Sequence, residues 1–155
     1  MTEHAVLGLP HRVTAEVEID APIDQVFAYV TDPHNLAHWH QGVSDVRDVS
    51  GPPGVGQRFT YTAHFLGRRL ELPQEVTVFE PNTLYTVLGR YGGQHYQFEQ
   101  RNGGTRVTND LAVQDLHFLA RLAEPLILRS GRRNQQHSLE TLKDLLETHG
   151  PDHPR

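Results

Sequence analysis

The sequence predicts an α+β domain, in which a curved antiparallel sheet of about seven strands folds over a long C-terminal helix. Three observations predict this class. First, Val13, Ala15 and Val17 alternate with polar residues, the period of two that is typical of a strand with one wet face. Second, turn signals separate short β-rich segments from Val43 onward. Third, leucines recur at spacings of three and four over the last segment, about Asp115 to His149, which indicates a helix.

Two short helices are expected directly after the first strand. Ala21-Pro22 ends the strand, and proline suits the first helical position because its missing N–H has no helical partner there. Apolar residues then follow at helical spacing, from Ile23 to Val30. Asp32-Pro33 repeats the start signal, so a second short helix should run to about Trp39.

Six strands joined by hairpins should follow as a meander. The turn signals are Gly51-Pro52-Pro53-Gly54, Leu66-Gly67-Arg68, Pro81-Asn82, Gly92-Gly93 and Asn102-Gly103-Gly104. Pro73 lies inside an otherwise good strand and therefore indicates either an edge position or a bulge. Three sets of residues should each share a strand face: Phe59, Tyr61, Ala63 and Phe65; Tyr96 and Phe98; Val107, Asn109, Leu111 and Val113.

The final helix contains two irregularities. Pro125 should either kink the helix or divide off a first short piece. Gly131 lies near its middle, where glycine costs about 1 kcal/mol relative to alanine. Three explanations stay open for Gly131: it leaves room for a ligand, it lets the helix approach the sheet, or it marks a local kink. Gly150-Pro151 ends the helix.

Composition limits the classes of function. The 155 residues suit one domain, placed at 10–149 with flexible tails at 1–9 and 150–155. A net charge of −5 argues against general binding to nucleic acid. The absence of cysteine excludes disulfides and sulfur-ligated metals. No stretch approaches the roughly 20 apolar residues of a membrane span, and no signal peptide is recognisable, so a cytoplasmic location is expected. The oligomeric state stays open, with a homodimer as one option.

The order of elements, with particular residues at the joints, resembles the START-like or SRPBCC superfamily and its helix-grip fold. The nearest group is similar to the polyketide cyclase/dehydrase and lipid-transport proteins. The resemblance runs from about Pro10 to Glu147. It implies a cavity between the sheet and the C-terminal helix that holds a small apolar or aromatic molecule, lipid-like or polyketide-like. The passages that carry it are Ile19–Phe27, Thr31–Leu36 closing on Trp39, Phe79–Leu84, Gly103–Thr108 and Leu139–Lys143 with Glu147.

Residues expected on the inward faces are the candidates for ligand contact. Aromatic walls with a few polar groups suit an apolar ligand that carries one or two hydrogen-bonding groups. The alternative for each residue is simple packing in the core. Asn109 is more specific, because a buried amide needs partners, either a ligand group or a neighbouring side chain. The candidates are Trp39 near the mouth, Phe59, Tyr61, Leu88, Tyr96, Asn109, Leu122 and Leu126.

Candidates for acid–base chemistry are His38, Tyr61 and Tyr96. His34 and His38 are four residues apart, a spacing that would suit two metal ligands on one helix face. Only Asp32 lies near them as a further ligand, so an exposed polar helix is favoured and no metal site is predicted. No dinucleotide fingerprint, Walker loop or nucleophile elbow is present, and no cofactor is predicted.

The remaining histidines are expected at the surface. His64 and His95 alternate with Tyr61, Phe65 and Tyr96, so both should face solvent, and a surface position is also favoured for His137.

Three functions remain. The leading hypothesis is a protein that binds a small apolar molecule without turnover. The second is an enzyme of the cyclase or dehydratase kind that works without metal or nucleotide. The third is a regulatory module that binds a protein partner. A filled core would favour the third, whereas a roomy cavity with a poised titratable group would favour the second.

Overall fold

The computed structural model describes residues 11–65, 67–113 and 117–148, and side chains within these ranges except at 11, 65, 113, 117–128 and 130. The expected order of elements is confirmed. A strand, two short helices, six strands and a long helix follow one another along the chain. They are β1 (His11–Ile19), α1 (Ile23–Val30), a 3₁₀ turn (Pro33–Asn35), α2 (Leu36–Trp39), β2 (Val43–Arg47), β3 (Arg58–Phe65), β4 (Arg68–Glu80), β5 (Leu84–Gly89), β6 (Gly92–Arg101), β7 (Gly104–Val113) and α3 (His117–Thr148).

The strands form one seven-stranded sheet in the order β1-β7-β6-β5-β4-β3-β2, and every neighbouring pair is antiparallel. Consecutive strands from β2 to β7 are joined by hairpins, as the turn signals predict. Strand β1 then pairs with β7, with Val13 opposite Leu111 and Val17 opposite Val107. This long-range pairing brings the start of the chain beside the last strand.

Pro73 shows how the sheet accommodates a residue without an N–H. In β4 it lies opposite Thr60 of β3, while the pairing of β4 with β5 begins only at Gln74. Strand β4 is an interior strand of the sheet, but Pro73 lies in a part of it that is paired with β3 alone, where one side has no ladder that a missing N–H could interrupt. The register shift in β4 occurs further along, between Val76 and Val78.

Helix α3 is a single element of 32 residues that continues across Pro125. The alternative in which Pro125 divides off a separate first piece is therefore wrong. A proline removes one N–H and crowds the preceding turn, but the helix continues on both sides of it here.

The hydrophobic core lies between α3, α1 and one face of the sheet, which we call the inner face. Leu139 and Leu142 of α3 are almost fully buried, and Ile19, Val26 and Val107 from β1, α1 and β7 belong to the same cluster. The spacing of the leucines along α3 therefore marks the face that packs on the sheet.

Polar contacts hold the last turns of α3 against the end of β1. Asp20 donates its backbone N–H to Glu147 Oε2 over 2.7 Å, and Lys143 Nζ donates to the backbone oxygen of Glu18 over 3.0 Å. Lys143 also pairs with Glu147 at 2.5 Å. These groups are partly exposed, so they fix the position of the helix more than they add stability.

His95 is not at the surface, which corrects its predicted solvent exposure. It does lie on the outer face of the sheet, opposite to Tyr96, but only 1% of it is exposed. Its Nδ1 lies 2.6 Å from Thr86 Oγ1, and its cross-strand neighbour on β7 is Asp110, which accepts a hydrogen bond from Thr14. Alternation predicts which face a residue occupies, but it does not predict what covers that face.

Candidate functional site

A cavity of about 230 Å³ lies between the inner face of the sheet and α3. Its wall draws on the loop after α2, on strands β3, β4, β6 and β7, and on the middle of α3. Its lining residues include Trp39, His40, Gln41, Tyr61, Leu72, Gln94, Tyr96, Asn109, Leu111, Gly131, Gln135, Ser138 and Leu139. The wall is mostly apolar, with a few amide, hydroxyl and imidazole groups, as is typical of small-molecule sites.

Four of the predicted contact residues line this cavity: Trp39, Tyr61, Tyr96 and Asn109. Trp39 and Tyr96 meet edge to face, with ring centroids 6.2 Å apart. Phe59 lies instead beside a second, smaller pocket of about 30 Å³, which shares Trp39, Tyr61 and Tyr96 with the main cavity. Whether these residues bind a ligand stays a prediction.

Leu88 does not line either pocket, and its predicted inward orientation is wrong. Strand β5 directs Tyr85 and Val87 to the inner face, where both line the smaller pocket, so Leu88 belongs to the opposite face. The segment Leu84–Leu88 has apolar residues at both odd and even positions, so alternation alone could not decide which of them face inward. The side chains of Leu122 and Leu126 lie outside the described residues.

His38 is also misplaced by the sequence prediction, since its side chain is exposed and does not line the cavity. Helix α2 is only one turn long, and the chain enters the cavity wall at its end, with Trp39 and His40. Of the two histidines around the end of α2, His40 is therefore the one that lines the cavity, and the exposed His64 of β3 also borders it. His38 and His40 are both direct neighbours of Trp39 in the sequence, so sequence position alone could not distinguish them.

His40, Gln94 and Tyr96 form one hydrogen-bonded row across the cavity wall. His40 Nδ1 lies 3.2 Å from the backbone oxygen of Gln41, which can only accept, so this nitrogen carries the hydrogen. In the neutral ring Nε2 is then an acceptor, and Gln94 Nε2 donates to it over 2.6 Å. The carbonyl of Gln94 accepts from the hydroxyl of Tyr96 over 2.9 Å. Every group in the row thus has a consistent role.

Burial keeps this row neutral. Burial lowers the pKa of His40 and raises the pKa of Tyr61 to about 12, and burial also raises the pKa of Tyr96 well above its ordinary value. The imidazole is therefore neutral at pH 7, and both phenols keep their protons. None of the described lining residues is an aspartate, glutamate, lysine or arginine. The site favours a neutral molecule over an ion, because a charge would enter without a counter-charge.

His40 predicts a loss of stability on the acid side. Its pKa is lowered from 6.5 in the folded protein, so the unfolded chain binds the proton first as pH falls. The contribution of the neutral ring is fully present above about pH 6.5 and is lost as pH falls below it toward the lower folded pKa. We expect the free energy of unfolding, measured by urea denaturation, to fall between about pH 7.5 and about pH 5.5.

In a His40→Gln variant the free energy of unfolding should fall less over this pH range than in the wild type. The two slopes should differ by at most about 1.4 kcal/mol per pH unit. His38→Gln is the matched control, because His38 is exposed and its replacement should leave the wild-type pH dependence in place. An equal loss in wild type and His40→Gln would contradict the assignment of the neutral ring to the folded state.

The loop between α2 and β2 is attached to both sides of the cavity. Gln41 donates its backbone N–H to Ser138 Oγ of α3 over 2.7 Å, and His64 of β3 donates its backbone N–H to the oxygen of Gly42 over 2.9 Å. His64 itself is exposed, as predicted. These contacts hold Trp39 and His40 in fixed positions relative to the helix.

Asn109 has a protein partner, in agreement with one of its two predicted explanations. It is 2% exposed, its Oδ1 accepts from Gln135 Nε2 of α3 over 2.9 Å, and its Nδ2 donates to the oxygen of His95 over 3.3 Å. Gln135 is also buried and lines the cavity, although it was not among the residues predicted from the sequence. No signal singled it out, since a glutamine in a polar stretch of helix is ordinary.

Gly131 lies at the point where α3 borders the cavity. A Cβ at this position would meet Leu111 Cδ2 at 3.5 Å, which is ordinary van der Waals contact. Close approach of helix and sheet therefore does not require glycine here. Of the explanations left open by the sequence, the geometry favours the one in which glycine leaves room for a ligand in the cavity.

Within the described ranges, no group of three or more histidine, cysteine, aspartate or glutamate residues is placed to hold a metal ion. His34 Nδ1 instead lies 3.0 Å from Asp32 Oδ1, and Asp32 caps the 3₁₀ turn by accepting from the backbone N–H of His34. The described part of the chain has no helix that is long and apolar enough to cross a membrane.

A curved antiparallel sheet that encloses a cavity against a long C-terminal helix defines the helix-grip class of the START-like superfamily. Residues 10–147 match the family described as polyketide cyclase/dehydrase and lipid transport, and the chain belongs to that family. No curated protein sequence matches it significantly.

Solved structures with the same fold include several bacterial proteins. TTHA0849 from Thermus thermophilus has a TM-score of 0.74 at 20% identity, over 86% of this chain and 94% of its own. CV1439 from Chromobacterium violaceum has a TM-score of 0.68 at 16% identity, over 89% and 99%. The protein Ara h 8.0201 has a TM-score of 0.54 at 14% identity, over 85% and 97%. At these identities the similarity establishes the fold.

Proposed function

We propose that this protein binds a small, neutral and largely apolar molecule in the cavity between the sheet and α3. The observation that carries the proposal is the cavity wall itself: it is largely apolar, it includes Trp39, Tyr61 and Tyr96, and its described part has no charged carboxylate, ammonium or guanidinium group. The description of the family, which includes lipid transport, supports the same class of ligand. Lipid-like and polyketide-like molecules both fit this chemistry.

Trp39 provides a direct test. It is the only tryptophan of the chain and lies in the cavity wall, so its indole emission reports on the site alone. We expect a saturable change of this emission on titration with 2-decalone, a neutral two-ring ketone whose carbonyl absorbs only weakly where indole is excited. Glucose, a neutral polar molecule, should produce no such change. Failure of 2-decalone and of other neutral two-ring or single-chain probes to alter the emission would contradict the proposal.

A catalytic function of the cyclase or dehydratase kind is the second candidate, and the row His40–Gln94–Tyr96 is the observation in its favour. A neutral imidazole accepts a proton and a phenol donates one, so such a row carries the two groups that acid–base catalysis needs. Against it, both nitrogens of His40 already make hydrogen bonds, and the pKa values of the two groups are shifted away from neutrality. Binding without turnover is therefore preferred.

The third candidate, a regulatory module that binds a protein partner, has less support, because a filled core would favour it. The cavity occupies the position that a filled core would require.

Mass spectrometry of ligands recovered after incubation with the protein separates the first two candidates. A protein that only binds its ligand returns it unchanged, whereas an enzyme returns a product.

A further inference from the structure

The orientation of one buried amide is determined by its neighbours. Gln135 is 5% exposed, and its Nε2 lies 3.1 Å from the backbone oxygen of Val13, 2.6 Å from the backbone oxygen of Asn109 and 2.9 Å from Asn109 Oδ1. All three neighbours are oxygens, so the atom among them must be the nitrogen, since a carbonyl there would face only acceptors. The opposite end of the amide is therefore the oxygen.

That oxygen has no protein partner among the described residues. Gln135 Oε1 is buried and accepts no hydrogen bond from them. Both N–H groups of the amide are used by β1 and β7, and Gln135 lines the cavity. A buried carbonyl without a donor is unfavourable, and such a group in a native protein calls for an explanation.

The donors of the described wall do not supply the missing partner. The hydroxyl of Tyr96 donates to Gln94, and the amide of Gln94 donates to His40. Trp39 Nε1 also lacks a partner within the described part of the chain, but it makes no hydrogen bond to Gln135. A donor for Gln135 Oε1 would then come from the molecule in the cavity.

We propose that Gln135 Oε1 accepts a hydrogen bond from a hydroxyl group of the ligand, so that the ligand class is neutral apolar alcohols and phenols. This inference rests on the proposed function. An ammonium group would also donate, but the described wall offers it no carboxylate, and burial of an unpaired cation is costly. Hydrocarbons and simple ketones leave the carbonyl of Gln135 unsatisfied and bind more weakly.

Two probes of matched shape test this inference in the unaltered protein. Decahydro-2-naphthol and 2-decalone have the same ring system and both accept hydrogen bonds, but only the alcohol donates one. By Trp39 emission the alcohol should bind roughly three- to tenfold more tightly, the range of one net hydrogen bond. Equal affinities, or tighter binding of the ketone, overturn the assignment of Gln135 while the proposed function stands. Binding of neither probe, together with failure of the other neutral two-ring and single-chain probes, overturns both.

Replacement of the amide adds a second test. In Gln135→Met, which keeps the length of the side chain, the preference for the alcohol should disappear while the ketone retains its affinity. Because this change also removes the bonds to Val13 and Asn109, the variant is informative only when its unfolding transition remains cooperative. A preference that survives in such a folded variant overturns the proposal.

A measurement on the wild-type protein avoids that dependence on folding. The ¹³C resonance of the Gln135 side-chain carbonyl should move downfield with decahydro-2-naphthol and clearly less with 2-decalone. Gln136, the next residue of α3, is the matched control, because its amide bonds to Glu140 on the exposed side of the helix. Equal shifts of the Gln135 resonance with both probes would overturn the proposal.

Discussion

Replacing Gly131 with phenylalanine will weaken the binding of neutral two-ring probes by about tenfold or more, which corresponds to about 1.4 kcal/mol. A side chain at this position starts beside Leu111 and extends into the space between α3 and the sheet. It therefore occupies the volume that the ligand would fill. Phenylalanine is also a better helix former than glycine, so the helix itself should tolerate the change.

Gly131→Ala is the matched control for this experiment. A methyl group makes only ordinary contact with Leu111, so the affinity should be retained, while the free energy of unfolding should rise by up to about 1 kcal/mol. Titration of Trp39 emission and urea denaturation measure the two quantities. Unchanged affinity in a folded Gly131→Phe variant would show that ligands bind elsewhere.

Replacing Leu142 with alanine will lower the free energy of unfolding by about 2–5 kcal/mol, the usual cost of removing a buried leucine side chain. Leu142 is fully buried, belongs to the core cluster and does not line the main cavity. The loss arises from the lost burial and from the void that remains, because the sheet on the other side cannot collapse fully into it.

Leu145→Ala is the control for this substitution, since Leu145 lies on the same helix but is only partly buried. Its cost should be clearly smaller when both variants are compared by urea denaturation. Equal losses would mean that the apolar side of α3 is turned differently against the sheet. The ligand affinity of Leu142→Ala should be close to that of the wild type, provided that the variant is folded.

Local signals in the sequence predicted the elements and their order. Proline at helix starts and glycine at hairpins act through the backbone of a few residues, so each can be recognised without knowledge of the rest of the chain. The period of two in β1 and the leucine spacing of α3 likewise identify faces directly, as the burial of Val13 and Leu139 confirms. Pro73 was recognised as an exception, and it lies in the part of β4 that is paired with β3 alone.

Where a segment is apolar on both faces, or where a residue sits at the end of a short element, local signals were insufficient. Leu88 was placed on the wrong face because β5 has apolar residues at both odd and even positions. His38 was preferred over His40 because no local signal indicates which of the two histidines lines the cavity. His95 was expected in solvent because alternation carries no information on coverage. These failures concern orientation and environment, not the existence of the elements.

Residue patterns alone predicted a curved antiparallel sheet with a long helix across it, and four of the residues around its cavity: Trp39, Tyr61, Tyr96 and Asn109. The polar arrangement of that cavity became visible only in the folded chain. His40 and Gln94 are 54 positions apart, and Gln135 meets Val13 across 122 positions. Such partners have no common local pattern, because their contact depends on how the sheet closes β1 onto β7 and how α3 lies across it. The neutrality of the site and the unsatisfied carbonyl of Gln135 both follow from those long-range contacts.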